Sequence, residues 1–272
     1  HSEKSNQIRN WMSQGYRSAA CQSCYIKEDN NIPSERIKCD PNEQIIDITS
    51  LDIRINNICN FKCRMCSEYF SSAIQQETIK IYGKDANLGH EGNLLTSPLS
   101  IERDSQFSAI APYITNNVEH IYFAGGEPLM TAEHYQVLDK LIDIKHTGLR
   151  LTYNTNLSKL TYKNINVIDY WNQFSNVSVG ASIDASNAVA EYVRHGTIWT
   201  DIVENIRIVK KYAPNVNLTI TSTVSFLTIE NLIKLQTKWI NEKLFDVGDL
   251  RVTVLINPHY MSPSALPMHH KQ

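Results

Sequence analysis

The sequence predicts an α/β fold in which six parallel strands form a partial (β/α)6 barrel, preceded by a small N-terminal extension that contains cysteines. Two observations predict this fold. From residue 49 onward, strand-like and helix-like segments alternate, as they do in parallel βα units. Residues 3–47, in contrast, are polar and contain a cysteine group of their own. We therefore divide the chain into an extension at residues 1–47 and a barrel core at residues 48–272.

Six segments of the core have the composition and length of strands. Right-handed crossovers between parallel strands of this kind would curl the sheet into part of a barrel. The predicted strands are Leu51 to Asn56, His120 to Ala124, Arg150 to Thr155, Val177 to Asp184, Asn217 to Ser225 and Arg251 to Asn257.

Apolar stripes at helical spacing separate several of these strands. The stripes follow Thr131, Thr200 and Thr228, and we expect Thr200 and Thr228 to cap their helices. Residues 67–117 contain less periodicity, and their glycines together with Pro98 indicate loop. This insertion is either a substrate lid or a surface excursion.

Apolar and polar residues alternate within the strands, so that one face is predicted to contact the helices and the other to face the barrel interior. In the fourth strand, Val177 and Val179 alternate with Ser178 and Gly180. A closed eight-stranded barrel fills its interior with bulky branched side chains instead. The polar parity therefore predicts an interior that receives solvent or a polar ligand. An antiparallel sheet with one wet face is the alternative, which the helical intervals disfavour.

Composition excludes some classes of protein. The chain has 272 residues, of which 42% are hydrophobic, and this suffices for a large core. A net charge of −2 argues against nucleic acid as an obligate partner. We find no apolar run of membrane-spanning length and no secretory leader, so we expect a cytoplasmic protein without a membrane partner.

Three cysteines, Cys59, Cys63 and Cys66, lie close together directly after the first predicted strand. They cannot all pair with one another as disulfides, so they indicate a metal site. Their CxxxCxxC spacing is not that of a zinc ribbon, whose closed site needs four ligands. A 4Fe-4S cluster also takes four ligands, usually thiolates, so this loop would leave one iron open. A structural zinc ion or three unrelated buried thiols are the alternatives.

Together with Gly125-Gly126-Glu127-Pro128, this spacing resembles the signature of the radical S-adenosylmethionine (SAM) superfamily. The resemblance covers about residues 49–258. It implies that SAM binds the open iron and is cleaved reductively to methionine and a 5'-deoxyadenosyl radical, which abstracts hydrogen from a substrate. It also implies a flavodoxin- or ferredoxin-type electron donor.

The same resemblance implies cofactor-binding roles for residues at the cluster loop and the strand ends. Gly125, Gly126 and Glu127 would bind the SAM amino group, although a tight turn without a ligand is the alternative. Met65 stands where the family usually has an aromatic residue near the adenine, and its soft side chain suits that contact. Asn154 resembles a cofactor-side or substrate-side position, or is a turn asparagine.

Three further residues follow from the resemblance. Ser182 and Asp184, at the end of the fourth strand, would hold the ribose, unless Asp184 only caps a turn. Arg194 would pair with the SAM carboxylate, because a guanidinium fork matches a carboxylate. A solvated surface arginine is the alternative there. No residue is assigned to proton or hydrogen transfer.

The N-terminal extension contains its own cysteine group, Cys21, Cys24 and Cys39. The pattern CxxCYxxE…SxR is similar to segments of twitch-type radical SAM proteins, which carry a second, auxiliary iron-sulfur cluster. Here the pattern precedes the core, whereas a twitch domain usually follows it. A zinc site and free thiols are the alternatives.

The leading hypothesis is a radical SAM enzyme, and twitch and SPASM relatives point to a peptide substrate. A nucleoside or small metabolite is the alternative substrate. A non-catalytic iron-sulfur or zinc binding module is a second hypothesis. A nucleic-acid-modifying enzyme would carry basic stripes with interleaved aromatics, but only short clusters such as Lys210-Lys211 are present. Because relatives commonly continue beyond the position of Gln272, the chain is either short or truncated at its C-terminus.

Overall fold

The computed structural model describes residues 3–34, 36–38, 48–83 and 106–270. The chain divides into two compact units, His1–Ile48 and Thr49–Gln272. Cys39 lies outside the described residues, as do residues 84–105, on which much of the proposed lid falls.

The first unit is held together mainly by polar contacts around one buried aromatic ring. The ring of Tyr25 lies between the guanidinium groups of Arg17 and Arg36, each 4.9 Å from its centroid. Arg17 forms a bidentate ion pair with Asp29, and Arg36 pairs with Glu28. The helices of this unit are α1 (Glu3–Ser13) and α2 (Gln22–Asp29).

The second unit is built on a six-stranded parallel sheet with the order β1-β3-β4-β7-β9-β10. The predicted α/β class and its six parallel strands are confirmed, with boundaries that differ by up to three residues. The strands of this sheet are β1 (Ser50–Ile53), β3 (His120–Phe123), β4 (Arg150–Thr155), β7 (Asn176–Ser182), β9 (Val216–Val224) and β10 (Leu250–Val254).

Two short antiparallel pairs supplement the sheet. One joins β2 (Lys62–Cys63) to β8 (Arg194–His195), and the other joins β5 (Thr161–Tyr162) to β6 (Ile165–Asn166). The first pair was not predicted, because a two-residue ladder has no periodicity in the sequence. It places the middle of the cysteine loop directly against Arg194.

The helices of the second unit follow the predicted stripes. Helix α5 begins after Thr131 and α9 begins after Thr228, which holds the N-cap position but whose side chain makes no capping hydrogen bond. The expected cap at Thr200 is wrong: α8 begins at Trp199, whose N–H donates to the Glu191 carboxylate at 2.9 Å. The helices are α3 (Ser72–Tyr82), α4 (Gln106–Ile110), α5 (Ala132–Asp143), α6 (Val167–Trp171), α7 (Asn187–Val193), α8 (Trp199–Tyr212) and α9 (Ile229–Asn241).

The alternation of side chains along the central strand β7 is confirmed. Val177 and Val179 are at most 1% exposed, whereas Ser178 and Ser182 on the opposite face are half-buried. The same expectation is wrong for β10, where Val252 and Val254 are at least 50% exposed. This strand is the edge of the sheet, and no described helix covers its outer face.

None of the described helices is long and apolar enough to span a membrane.

Candidate metal centre

The cysteine loop begins where β1 ends and brings three free thiols together. Cys59, Cys63 and Cys66 are all half-buried, and none forms a disulfide. The Cys66 N–H donates to the Cys63 carbonyl at 3.0 Å, which places these two residues on one turn. Burial raises the pKa of the Cys59 thiol to about 12, and the neighbouring charges of Glu127, Cys63 and Cys66 act in the same direction. A raised pKa keeps the thiol protonated, so a metal that binds here would displace the proton.

All three candidate ligands on the loop are thiols, the usual ligands of an iron-sulfur cluster. Among the described residues, no group of three or more His, Cys, Asp or Glu side chains is placed to hold one metal ion. A 4Fe-4S cluster takes one thiolate for each iron, so its ligands need not converge on one point. A structural zinc ion needs four ligands around a single centre.

Serines at the start of α3 hold the cysteine loop from one side. The Ser71 hydroxyl donates to the Phe61 carbonyl at 2.6 Å, and the Cys59 N–H donates to the Ser72 hydroxyl at 3.2 Å. Phe61, between the cysteines, is 1% exposed and anchors the loop in the core. These serines were missed in the sequence analysis. Ser71 is the N-cap of α3, so the signal for it was a serine directly before a helix.

The glycine-rich turn after β3 packs its backbone against the start of the cysteine loop. The Gly126 N–H donates to the Asn56 carbonyl at 3.2 Å, and the Glu127 N–H donates to the Ile58 carbonyl at 2.6 Å. A Cβ atom on Gly126 would lie 2.3 Å from the Ile58 oxygen. Gly125 has φ +113°, a conformation that favours glycine. The glycine turn and the start of the cysteine loop are therefore in direct backbone contact and joined by hydrogen bonds.

Glu127 is 2% exposed and ties the ends of neighbouring strands together. Its carboxylate accepts hydrogen bonds from the Thr155 hydroxyl at 2.6 Å, the Asn156 N–H at 2.7 Å and the Leu129 N–H at 3.2 Å. Burial raises the pKa of Glu127 to about 7, and these hydrogen bonds act in the opposite direction. The assistance of Glu127 in binding the SAM amino group stays a prediction.

We expect the stability of the chain to depend on pH through Glu127. Its pKa rises from 4.5 to about 7 on folding, so within this window the folded chain holds a proton that the unfolded chain has released. Stability should therefore fall as pH rises through the window, by up to roughly 3 kcal/mol relative to Glu127→Gln. Urea unfolding of both proteins across the window measures this difference. Glu230→Gln, at an exposed glutamate, is the control, and parallel curves for wild type and Glu127→Gln would contradict the expectation.

Asp184 and Arg194 are brought together as a buried ion pair. The guanidinium Nε and Nη2 atoms donate to the two carboxylate oxygens at 2.7 and 3.0 Å, and the Thr223 N–H also donates to Asp184 at 2.7 Å. Both side chains line one small cavity with Ser182 and Asn156. The structure thus brings three of the predicted SAM-binding residues to one place, while their individual roles stay predictions.

Asn154 and Met65 occupy positions near this region. Asn154 lies on the interior face of β4, and its amide donates to the Tyr122 hydroxyl at 2.7 Å. Its Oδ1 atom reaches over Gly180, where an added Cβ would lie 2.8 Å from it and 2.6 Å from the Thr221 hydroxyl. Met65 is half-buried in the turn between the last two cysteines. Both assignments to the cofactor stay predictions.

The two cysteines of the first unit that the structure describes, Cys21 and Cys24, are also free. Cys21 immediately precedes α2 and Cys24 lies in its first turn. The Cys21 sulfur lies 3.9 Å from the Met12 sulfur. Because Cys39 lies outside the described residues, its proposed part in this group stays a prediction.

Residues 53–235 match the model of the Radical SAM superfamily. Because the match covers more than half of the chain, the chain belongs to this superfamily of enzymes, and the resemblance inferred from the two motifs is confirmed. A comparison with curated proteins found no match.

Several solved structures are similar to this chain at low sequence identity. Native anSMEcpe with bound AdoMet is 19% identical with a TM-score of 0.51, and the alignment covers 78% of this chain and 52% of that one. The same protein with bound AdoMet and Kp18Cys peptide is 18% identical with a TM-score of 0.52, and the alignment covers 78% of this chain and 52% of that one. Streptococcus suis SuiB is 12% identical with a TM-score of 0.49, covering 76% and 42%. The chain thus spans about half the length of these structures.

Proposed function

We propose that the chain is the catalytic core of an enzyme that binds a 4Fe-4S cluster through Cys59, Cys63 and Cys66. When bound, the cluster supplies the electron that cleaves SAM reductively, so that hydrogen can be abstracted from a substrate. The observation that carries the proposal is the set of three free, neighbouring thiols on a loop whose backbone is bonded to the Gly125-Gly126-Glu127 turn.

The chain's own residues would orient the cofactor and limit its exposure to water. Thiolates at Cys59, Cys63 and Cys66 would leave one cluster position for SAM. The glycine turn would present its backbone to the SAM amino group, because no Cβ atoms intervene there. The polar interior of the sheet, at Asn154 and Ser182, would contact the rest of the ligand.

Release of 5'-deoxyadenosine tests this function. The protein is reconstituted anaerobically with iron and sulfide, then given SAM and a strong reductant without a substrate. We expect slow release that requires SAM, reductant and the cluster. A protein with a full complement of iron that releases none would instead support a cluster-binding module without this chemistry.

We propose a peptide as the substrate. The support is a solved structure of similar fold that contains bound AdoMet and a peptide. Adding a cellular peptide fraction should increase 5'-deoxyadenosine release, and prior protease treatment of the fraction should remove the increase. An increase that survives protease treatment would favour a nucleoside or small metabolite.

We also propose that a flavodoxin or ferredoxin supplies the electron in the cytoplasm. The five cysteines in the described residues are all free, as expected in a reducing compartment. Reduced flavodoxin replacing the chemical reductant should sustain 5'-deoxyadenosine release. Failure with both flavodoxin and ferredoxin would contradict this choice of donor.

The extension at residues 1–47 is proposed to bind an auxiliary iron-sulfur cluster through Cys21, Cys24 and Cys39. We expect the double replacement Cys21→Ser and Cys24→Ser to lower the iron bound per chain, while the cluster on the cysteine loop survives. Metal analysis of the reconstituted protein measures this. Unchanged iron with lost zinc would make the extension a zinc site. A double variant that loses neither metal would indicate that these cysteines are free thiols in the wild type.

A further inference from the structure

Arg194 faces Cys63 across the short antiparallel pair that joins β2 to β8. Cys63 and Arg194 are direct partners in this ladder, and the Arg64 N–H donates to the Val193 carbonyl at 2.9 Å. The Arg194 Nη1 atom lies 3.9 Å from the Cys63 sulfur, at the long end for an N–H to sulfur contact. The backbone therefore fixes which sulfur the guanidinium reaches.

The opposite edge of the same guanidinium is fully engaged by Asp184. Its Nε and Nη2 atoms donate to the two carboxylate oxygens at 2.7 and 3.0 Å, which leaves Nη1 directed at the sulfur. The Asp184 side chain is 1% exposed and the Arg194 side chain 16%. Asp184 is held in turn by the Thr223 N–H of β9 at 2.7 Å. A chain of contacts thus runs from the sheet to Cys63.

We propose that Arg194 is a positioning residue that holds Cys63 and tunes the reduction potential of the cluster by donating an N–H to its sulfur. This inference rests on the proposed function, because it requires the cluster. In this inference Arg194 and Asp184 pair with each other. The sequence had instead predicted that Arg194 contacts the SAM carboxylate and that Asp184 contacts the ribose.

The charge of Arg194 distinguishes this contact from those at Cys59. The Cys59 sulfur receives the backbone N–H of Phe61 at 3.4 Å and the Asn156 amide at 4.0 Å, both neutral donors. Among the described residues, Arg194 is the cationic side chain recorded within 4 Å of a loop sulfur. Reduction adds negative charge to a cluster, so a neighbouring cation stabilises the reduced form, and more strongly where water is excluded.

The test is a redox titration, followed by electron paramagnetic resonance, of the SAM-free cluster in wild type, Arg194→Gln and Arg64→Gln. We expect Arg194→Gln to lower the ratio of reduced to oxidised cluster about tenfold at a fixed potential, a shift of about 59 mV for one electron. Arg64→Gln is the matched control. It removes the same charge one residue from Cys63, but at an exposed position where solvent screens it, so its shift should be much smaller.

A second variant covers the case in which Arg194→Gln fails to fold, since it leaves the Asp184 carboxylate buried without its partner. The combined change Asp184→Asn with Arg194→Gln removes both charges and leaves two amides that can pair. A smaller downward shift is expected for this variant, because losing the negative charge of Asp184 partly offsets losing the positive charge of Arg194, which lies nearer the sulfur. A folded Arg194 variant that binds less iron than Arg64→Gln would also support the positioning role.

Three results would overturn the inference, and they are distinguishable. A full cluster with an unchanged SAM-free potential in both Arg194 variants would refute the contact. The same unchanged potential combined with a large loss of SAM affinity would instead support the prediction from the sequence, that Arg194 pairs with the SAM carboxylate. A wild-type protein that assembles no cluster would refute the proposed function itself.

Discussion

Replacing Cys63 by alanine should abolish 5'-deoxyadenosine release while the chain stays folded. Two thiols would remain on the loop, and with one ligand removed the cluster would lose its hold on the protein. Folding should survive, because Cys63 lies in a two-residue ladder outside the six-stranded sheet. Losing one half-buried sulfur should cost on the order of 1 kcal/mol. Chromatographic assay of 5'-deoxyadenosine, with thermal unfolding in parallel, measures both effects.

The control for this change is Arg64→Ala, at the exposed residue next to Cys63. It shortens a side chain within the same loop without removing a sulfur, so the reconstituted variant should keep its iron and release 5'-deoxyadenosine. A Cys63→Ala protein that releases 5'-deoxyadenosine at the wild-type rate would show that the cysteine loop is not needed for SAM cleavage. A variant that unfolds would instead assign Cys63 a structural role that its position does not suggest.

The sheet could be predicted because its signals are local. Each central strand repeats apolar and polar residues with period two, and helical stripes separate the strands, so Val177, Val179 and their partners are found on the buried face. The prediction was wrong at Val252 and Val254, where the same alternation occurs in an edge strand. Alternation reports which face is apolar, whereas burial also depends on what packs against that face.

The site could be predicted only in part, since its chemistry lies in the motifs and its geometry lies in long-range contacts. The cysteine spacing and the glycine turn identified the superfamily. The pairing of Asp184 with Arg194, and of Arg194 with Cys63, joins residues up to 131 positions apart. No local pattern encodes such contacts. A sequence reading therefore assigns each polar residue to a ligand, although some of them contact one another.

Gly126 is where the two motifs meet, and its replacement by alanine should have a large effect on stability. An added Cβ would lie 2.3 Å from the Ile58 oxygen and 2.7 Å from the Asn57 carbonyl carbon. Both contacts are with backbone, so no side-chain rotation relieves them. Forcing atoms into a packed site typically costs 1–3 kcal/mol, and we expect about 3 kcal/mol here. This corresponds to a fall of roughly 6–12 °C in the unfolding temperature.

The route by which the chain relieves this clash decides what happens to the metal. Ile58, whose oxygen would clash, lies at the start of the cysteine loop and is 42% exposed, so this end of the loop can move away from the turn, which is held by the buried Glu127. We therefore expect Gly126→Ala to bind less iron per chain as well as to unfold earlier. Gly148→Ala is the matched control: nothing lies within 4 Å of the added atom, and the change should stay within about 0.5 kcal/mol of wild type. A Gly126→Ala protein as stable and as iron-rich as Gly148→Ala would mean that the turn and the loop are not in contact. Lost stability with full iron would mean that the turn gives way instead, and that the loop alone positions the three thiols.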